Sequence, residues 1–195
     1  MEFDNSFEVP LPVAEAWVVL MDIERIVPCL PGAELTEKVD DSNFKGSVSV
    51  RLGPVALTFA GRASFEDRDD EAYSARVKAQ GSDSKGRGGA NADVTFSLVP
   101  AGDAATTVEI HTNLQLSGSV AQYGRGVGMI TDVSSQIIGK FADCLREQLA
   151  QAEAPPGAEP APPPQAAPVS VTSVGFRALW NAIVRSIKKM FGAAP

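Results

Sequence analysis

From Phe3 through Asn5 and Phe7 to Val9, every second position is set apart from a polar neighbour, the period of a β-strand. Pro10-Leu11-Pro12 ends this run, and Pro12 suits a helix start, where its missing N–H costs nothing. Short helical patterns follow over 13–21 and 22–27. Pro28-Cys29-Leu30-Pro31-Gly32-Ala33 then predicts a rigid loop, because two prolines fix φ and remove donors.

From Phe44 the period returns to two and holds through five runs. Phe44, Val48, Val50 and Leu52 share a side in the first, opposite Lys45, Ser47, Ser49 and Arg51. After Gly53-Pro54 come Val55, Leu57, Phe59, Ala63 and Phe65, then Tyr73, Ala75, Val77 and Ala79 beyond an acidic turn. Ala92, Val94, Phe96 and Leu98 follow, and finally Val108, Ile110, Leu114 and Leu116. Such a series predicts an antiparallel meander with one buried and one wet face. Val120, Tyr123, Val127, Ile130, Ile137, Phe141, Leu145 and Leu149 then recur at three- and four-residue steps, predicting one long helix. The expected fold is α+β and of the helix-grip kind. A curved antiparallel sheet wraps a long C-terminal helix, with two small helices between the first and second strands.

A single sheet curling round a helix leaves space wherever its inward residues are small. Gly46, Gly61, Ala63, Ala75, Ala79 and Ala92 fall on the inner parity. They predict either a cavity or a close approach of the helix. The cavity reading places its walls at Leu30, Val48, Val50, Phe59, Tyr73, Val77, Phe96, Leu98, Ile110, Leu114, Tyr123, Val127 and Ile130, with Tyr73, Tyr123 and Thr112 as its few polar groups. A matching ligand is a lipophilic small molecule, flat or chain-like, with one or two carbonyl acceptors. Gly124, Gly126 and Gly128 imitate a dinucleotide loop, but no βαβ unit surrounds them; a pliable cavity mouth is the expectation.

Charge divides the chain in two. The 17 Lys+Arg and 24 Asp+Glu give a net charge of −7. No acidic residue follows Glu159, whereas Arg177, Arg185, Lys188 and Lys189 do, so residues 1–160 are strongly acidic and the remainder is basic. An acidic body argues against nucleic acid as a partner, since phosphate contacts need clustered cations. The N-terminus lacks a secretory signal pattern, so residence in the cytosol is expected. Cys29 and Cys144 stand far apart without metal-ligand spacing, and both are expected as small buried hydrophobes rather than a disulfide or a zinc site.

No catalytic constellation emerges. His111 is the only histidine, and strand parity turns it outward; acidic residues concentrate in turns such as 67–71. The chain is therefore expected to be non-enzymatic, with no catalytic residues and no metal site. Tyr123 and Arg125 form the best remaining place for an activity.

Seven prolines mixed with alanine between 151 and 174 predict a semi-rigid linker, reaching up to roughly 70 Å at about 3 Å per residue. Over 175–192, Phe176, Leu179, Trp180, Ile183, Val184, Ile187 and Phe191 form an apolar helical stripe opposite Arg177, Asn181, Arg185, Lys188 and Lys189. This is the pattern of an interfacial membrane-binding helix. Each cation near an anionic surface contributes about 1 kcal/mol, so reversible peripheral attachment is expected; a partner-binding helix is the alternative.

Pro28-Cys29-Leu30-Pro31-Gly32-Ala33-Glu34, Phe44-Lys45-Gly46, Leu52-Gly53-Pro54-Val55 and Gly61 together resemble the G subunit of carbon monoxide dehydrogenase, a family within the START-like (SRPBCC) ligand-binding superfamily. The resemblance spans residues 1 to about 150. It implies an accessory protein that brings a carbon monoxide dehydrogenase-type molybdenum hydroxylase to the cytoplasmic face of the cell membrane. Joined to the cavity, it implies a non-covalent quinone, menaquinone or ubiquinone, carrying electrons to the respiratory chain, with no covalently bound cofactor. The alternatives are a ligand-free membrane-recruitment adaptor and a START-like cyclase or hydrolase. A filled interior favours the adaptor, an apolar cavity the carrier, and a cavity with converging polar groups the enzyme.

Overall fold

A computed structural model describes residues 1–125 and 127–152. The expected linker beyond Ala152 and the expected membrane helix at 175–192 lie outside these residues. Among the described residues, no helix is long and apolar enough to cross a membrane.

The elements run β1 (Glu2–Val9), α1 (Val13–Met21), α2 (Ile23–Ile26), a 3₁₀ turn (Val27–Cys29), β2 (Ala33–Lys38), β3 (Asn43–Leu52), β4 (Val55–Asp69), β5 (Ser74–Asp83), β6 (Gly88–Pro100), β7 (Thr106–Gly118), a 3₁₀ segment (Ser119–Arg125) and α3 (Val127–Ala152). One seven-stranded antiparallel sheet has the order β1-β7-β6-β5-β4-β3-β2. Five strands follow one another as the meander predicts. β1 returns to pair with β7, setting Phe7 opposite Val108 and Asn5 opposite Ile110.

Two expectations are corrected here, and one element is added to them. The segment after the proline-rich loop is a strand: β2 pairs with β3 at the sheet edge, with a register shift between Leu35 and Glu37. Only Ala33 and Leu35 supply it with an inward apolar pattern, and polar residues suit an edge strand. The helix expected from Val120 is divided, because Ser119–Arg125 is 3₁₀ and α3 begins at Val127. Cys29 and Cys144 are joined by a disulfide, their Cα atoms 5.4 Å apart, rather than standing as separate thiols. Sequence spacing could not show this pair, since 115 positions separate them.

Two apolar clusters organise the interior. The larger gathers Phe7 and Val9 of β1, Trp17 and Leu20 of α1, Leu98, Val108, and Phe141, Leu145 and Leu149 of α3. Phe7 and Phe141 meet edge to face at 5.4 Å. Trp17 donates from Nε1 to Asp70 Oδ1 at 2.7 Å, so its buried indole keeps a polar partner. The smaller cluster holds Leu52, Leu57, Phe59 and Val120, with Tyr123 and Val133 packed against it. The C-terminal half of α3 is thus embedded, while its N-terminal half faces the space between the clusters.

Candidate functional site: an apolar cavity under the curved sheet

The cavity follows from small side chains placed in rows across four strands. Gly46, Gly61 and Gly81 stand opposite one another on β3, β4 and β5, and Ala90 of β6 continues the row. The next inward row is Phe44, Ala63, Ala79, Ala92 and Leu114. A Cβ on Gly61 would collide with the Gln80 carbonyl oxygen, and one on Gly46 with the Glu34 carbonyl oxygen. These glycines therefore permit a close strand approach, and they also leave the inward face bare.

Over this floor lies a cavity of about 560 Å³. Its roof is α3, through Ile130, Val133, Ser134, Ile137 and Ile138, and one side is closed by Ile23, Val27 and Leu30. The disulfide to Cys144 ties the Val27–Cys29 turn directly to α3, so that wall is covalently fixed to the roof. Val48 lines the cavity and is 37% exposed, which marks where it meets solvent.

Of the residues expected in the walls, the structure brings together Leu30, Val48, Val50, Phe59, Val77, Leu114 and Ile130. Tyr73, Phe96, Leu98 and Ile110 lie in or against the larger core cluster instead. Their inward parity is as expected, but they occupy the end of the sheet that α1 and the C-terminal half of α3 fill. Tyr73 turns at φ 49° between β4 and β5 and packs on Trp17, ring centroids 6.0 Å apart. Tyr123 packs on the smaller cluster. Val127 opens α3, and its side chain, like that of Arg125, is outside the described set. Thr112, opposite Phe3 and Val94, is also absent from the lining.

The polar character of the cavity differs from expectation. Strand residues Lys45 and Arg62 border it, but alternation turns their side chains to the outer face. There Lys45 Nζ meets Glu37 at 2.9 Å and Arg62 reaches Gln80 at 3.4 Å. From the helix side comes Ser134, which sequence reasoning missed. Its signal was present, since Ser134 stands four residues after Ile130 and three before Ile137 on the inward stripe. Asn5, on the inner parity of β1, donates from Nδ2 to Ser134 Oγ at 3.0 Å, and Ser135 Oγ donates to Asn5 Oδ1 at 3.1 Å.

Strong electrostatics lies elsewhere. Asp83, 4% exposed at the β5–β6 turn, accepts from Arg87 Nε and Nη2 at 2.8 Å and from the Lys85 backbone at 3.0 Å. These donors, the Arg87 guanidinium foremost, hold its carboxyl far below the usual range. His111 points outward as expected, its Nδ1 2.7 Å from Asp4 Oδ1; that hydrogen bond raises its pKa. Arg76 pairs with Asp93 on the same outer face. Among the described residues, no group of three or more His, Cys, Asp or Glu is arranged to hold a metal ion. The cavity lining is apolar with one inward hydroxyl, that of Ser134, and among the described residues no acid–base pair converges on it.

Solved structures share this architecture. A conserved protein of Geobacillus kaustophilus is 22% identical, with a TM-score of 0.67 over 78% of this chain and 97% of that one. A Thermus thermophilus protein is 15% identical with a TM-score of 0.57, covering 79% of this chain and 100% of that one. The Zhui aromatase/cyclase of Streptomyces sp. R1128 is 11% identical with a TM-score of 0.57, covering 80% and 98%. At these identities the likeness concerns the fold alone. No curated protein matches the chain. The family model for the G subunit of carbon monoxide dehydrogenase (CoxG) matches residues 6–150, nearly the whole of the described domain. The chain therefore belongs to the CoxG family of carbon monoxide dehydrogenase subunits.

Proposed function

We propose that this protein is a non-catalytic accessory subunit that holds a respiratory quinone, menaquinone or ubiquinone, in its cavity. In this reading it recruits a carbon monoxide dehydrogenase-type molybdenum hydroxylase to the membrane, so that electrons pass to the quinone. The observation that carries the reading is the apolar cavity of about 560 Å³ in a domain of this family. That volume lies within the roughly 300–1,000 Å³ of small-molecule sites. A ring system laid on the glycine and alanine floor would meet Ile130 and Ile137 above it. The basic stripe at 175–192 supports membrane attachment through its charge and apolar pattern.

The Zhui protein is an aromatase/cyclase, and norcoclaurine synthase of Thalictrum flavum shares the fold at 15% identity, so an enzymatic reading competes with the carrier. Cyclisation needs a general acid or base beside the substrate. The lining's charged side chains sit on outward strand positions, which favours the carrier.

Organic extraction of the purified full chain should release quinone, identified by mass spectrometry. The full chain should also sediment with vesicles containing anionic phospholipid, and a chain ending at Ala152 should not. An extract free of quinone, with no uptake of added quinone, would remove the carrier and leave recruitment alone. Equal sedimentation of both chains would remove the anchor.

A further inference from the structure

Asn5 is an anomaly on β1. It occupies the inward parity between Phe3, which lines the cavity, and Phe7, which is buried in the larger core cluster. An apolar residue there would bury more surface. Instead the carboxamide is held at both ends by α3, giving a proton to Ser134 Oγ and receiving one from Ser135 Oγ.

The consequence falls on Ser134. A serine hydroxyl has one proton to give and two lone pairs. Asn5 fills a lone pair, so Ser134 retains its O–H as a donor, on a side chain that borders the cavity. Accepting a hydrogen bond also polarises the hydroxyl and strengthens it as a donor. In an apolar enclosure an unmet donor is costly, and a ligand acceptor would satisfy it.

We propose that Ser134 donates a hydrogen bond to a carbonyl oxygen of the cavity's ligand, with Asn5 as the positioning residue that orients the hydroxyl. This rests on the cavity being a ligand site and specifies its chemistry. The occupant is an apolar molecule carrying a carbonyl at the edge that meets α3 near β1, and a plain hydrocarbon or acyl chain satisfies the site less well.

The test compares two flat probes of similar outline, menadione, which carries ring carbonyls, and 2-methylnaphthalene, which has none. Each is equilibrated by dialysis against the full-length protein and its variants. Ser134→Ala is expected to weaken menadione about fivefold, the scale of one neutral hydrogen bond, and to leave 2-methylnaphthalene unchanged. Ser134→Thr, which keeps the hydroxyl, should retain menadione, and Asn5→Ala should lower menadione selectively. Ser134→Ala weakening both probes equally, or neither, would overturn the donor while the cavity reading stands. Failure of the unaltered protein to bind either probe would overturn the cavity reading and the donor with it.

Discussion

Cys29, at the end of the 3₁₀ turn that carries Val27, is bonded to Cys144 in the embedded half of α3. The link closes a loop of 115 positions and fixes the wall formed by Val27 and Leu30 to the helix above the cavity. For a loop of about this length, chain-entropy reasoning gives roughly 4–5 kcal/mol, and measured values commonly fall at about 2–5. Cys29→Ser, or full reduction, should therefore lower the unfolding free energy by about 2–5 kcal/mol in urea titrations. Identical midpoints with and without reductant would show that the bond contributes nothing. Alkylation of the protein inside intact cells would show whether it is formed there, since disulfides are rare in the cytosol.

Ala79 stands between Ala63 and Ala92 on the cavity floor. Ala79→Phe would place a ring into about 560 Å³ of existing space rather than into packed core. Retention of an apolar ligand should fall by about tenfold, or ~1.4 kcal/mol, with little change in melting temperature. Undiminished retention would place the ligand elsewhere.

The two halves of α3 should respond differently to truncation. Leu145 is 1% exposed in the larger cluster, so Leu145→Ala should cost about 2–5 kcal/mol. Ile137 lines the cavity rather than the packed cluster, so its truncation removes fewer protein contacts and should cost less than about 2 kcal/mol. Chemical denaturation of the two variants measures the difference; equal losses would mean that the helix is gripped uniformly.

Asp83 supplies a pH dependence with a definite sign. Its carboxyl is depressed in the folded state by Arg87 and by backbone donors, so its stabilisation is fully present above the unfolded value of about 3.9. It is lost as pH falls below that value. The Asp83→Asn variant should melt below the parent at pH 7, and the gap should close progressively below about pH 4. A gap independent of pH would assign the effect to shape rather than charge.

Much of the site was legible because strand parity is a local rule. Val48, Val50, Phe59, Val77 and Leu114 could be set on the concave face from alternation alone, and the small residues beside them left a cavity or a close helix approach as the two readings. Parity says which face a residue joins, but not how far along the sheet α1 and α3 fill it. For that reason Tyr73, Phe96, Leu98 and Ile110 share the concave side yet pack as core. β2 escaped notice because an edge strand with two inward apolar residues barely alternates.

The order of the meander, the outward His111, the division of charge and the family resemblance all follow from near neighbours in the chain. Three features depend on residues brought together from afar. The Cys29–Cys144 bond spans 115 positions, the Asn5–Ser134 contact spans 129, and the cavity exists where Gly46, Gly61 and Gly81 align on three strands. Local pattern sets the face of each side chain; only closure of the sheet on the helix decides which distant groups meet and which spaces stay empty.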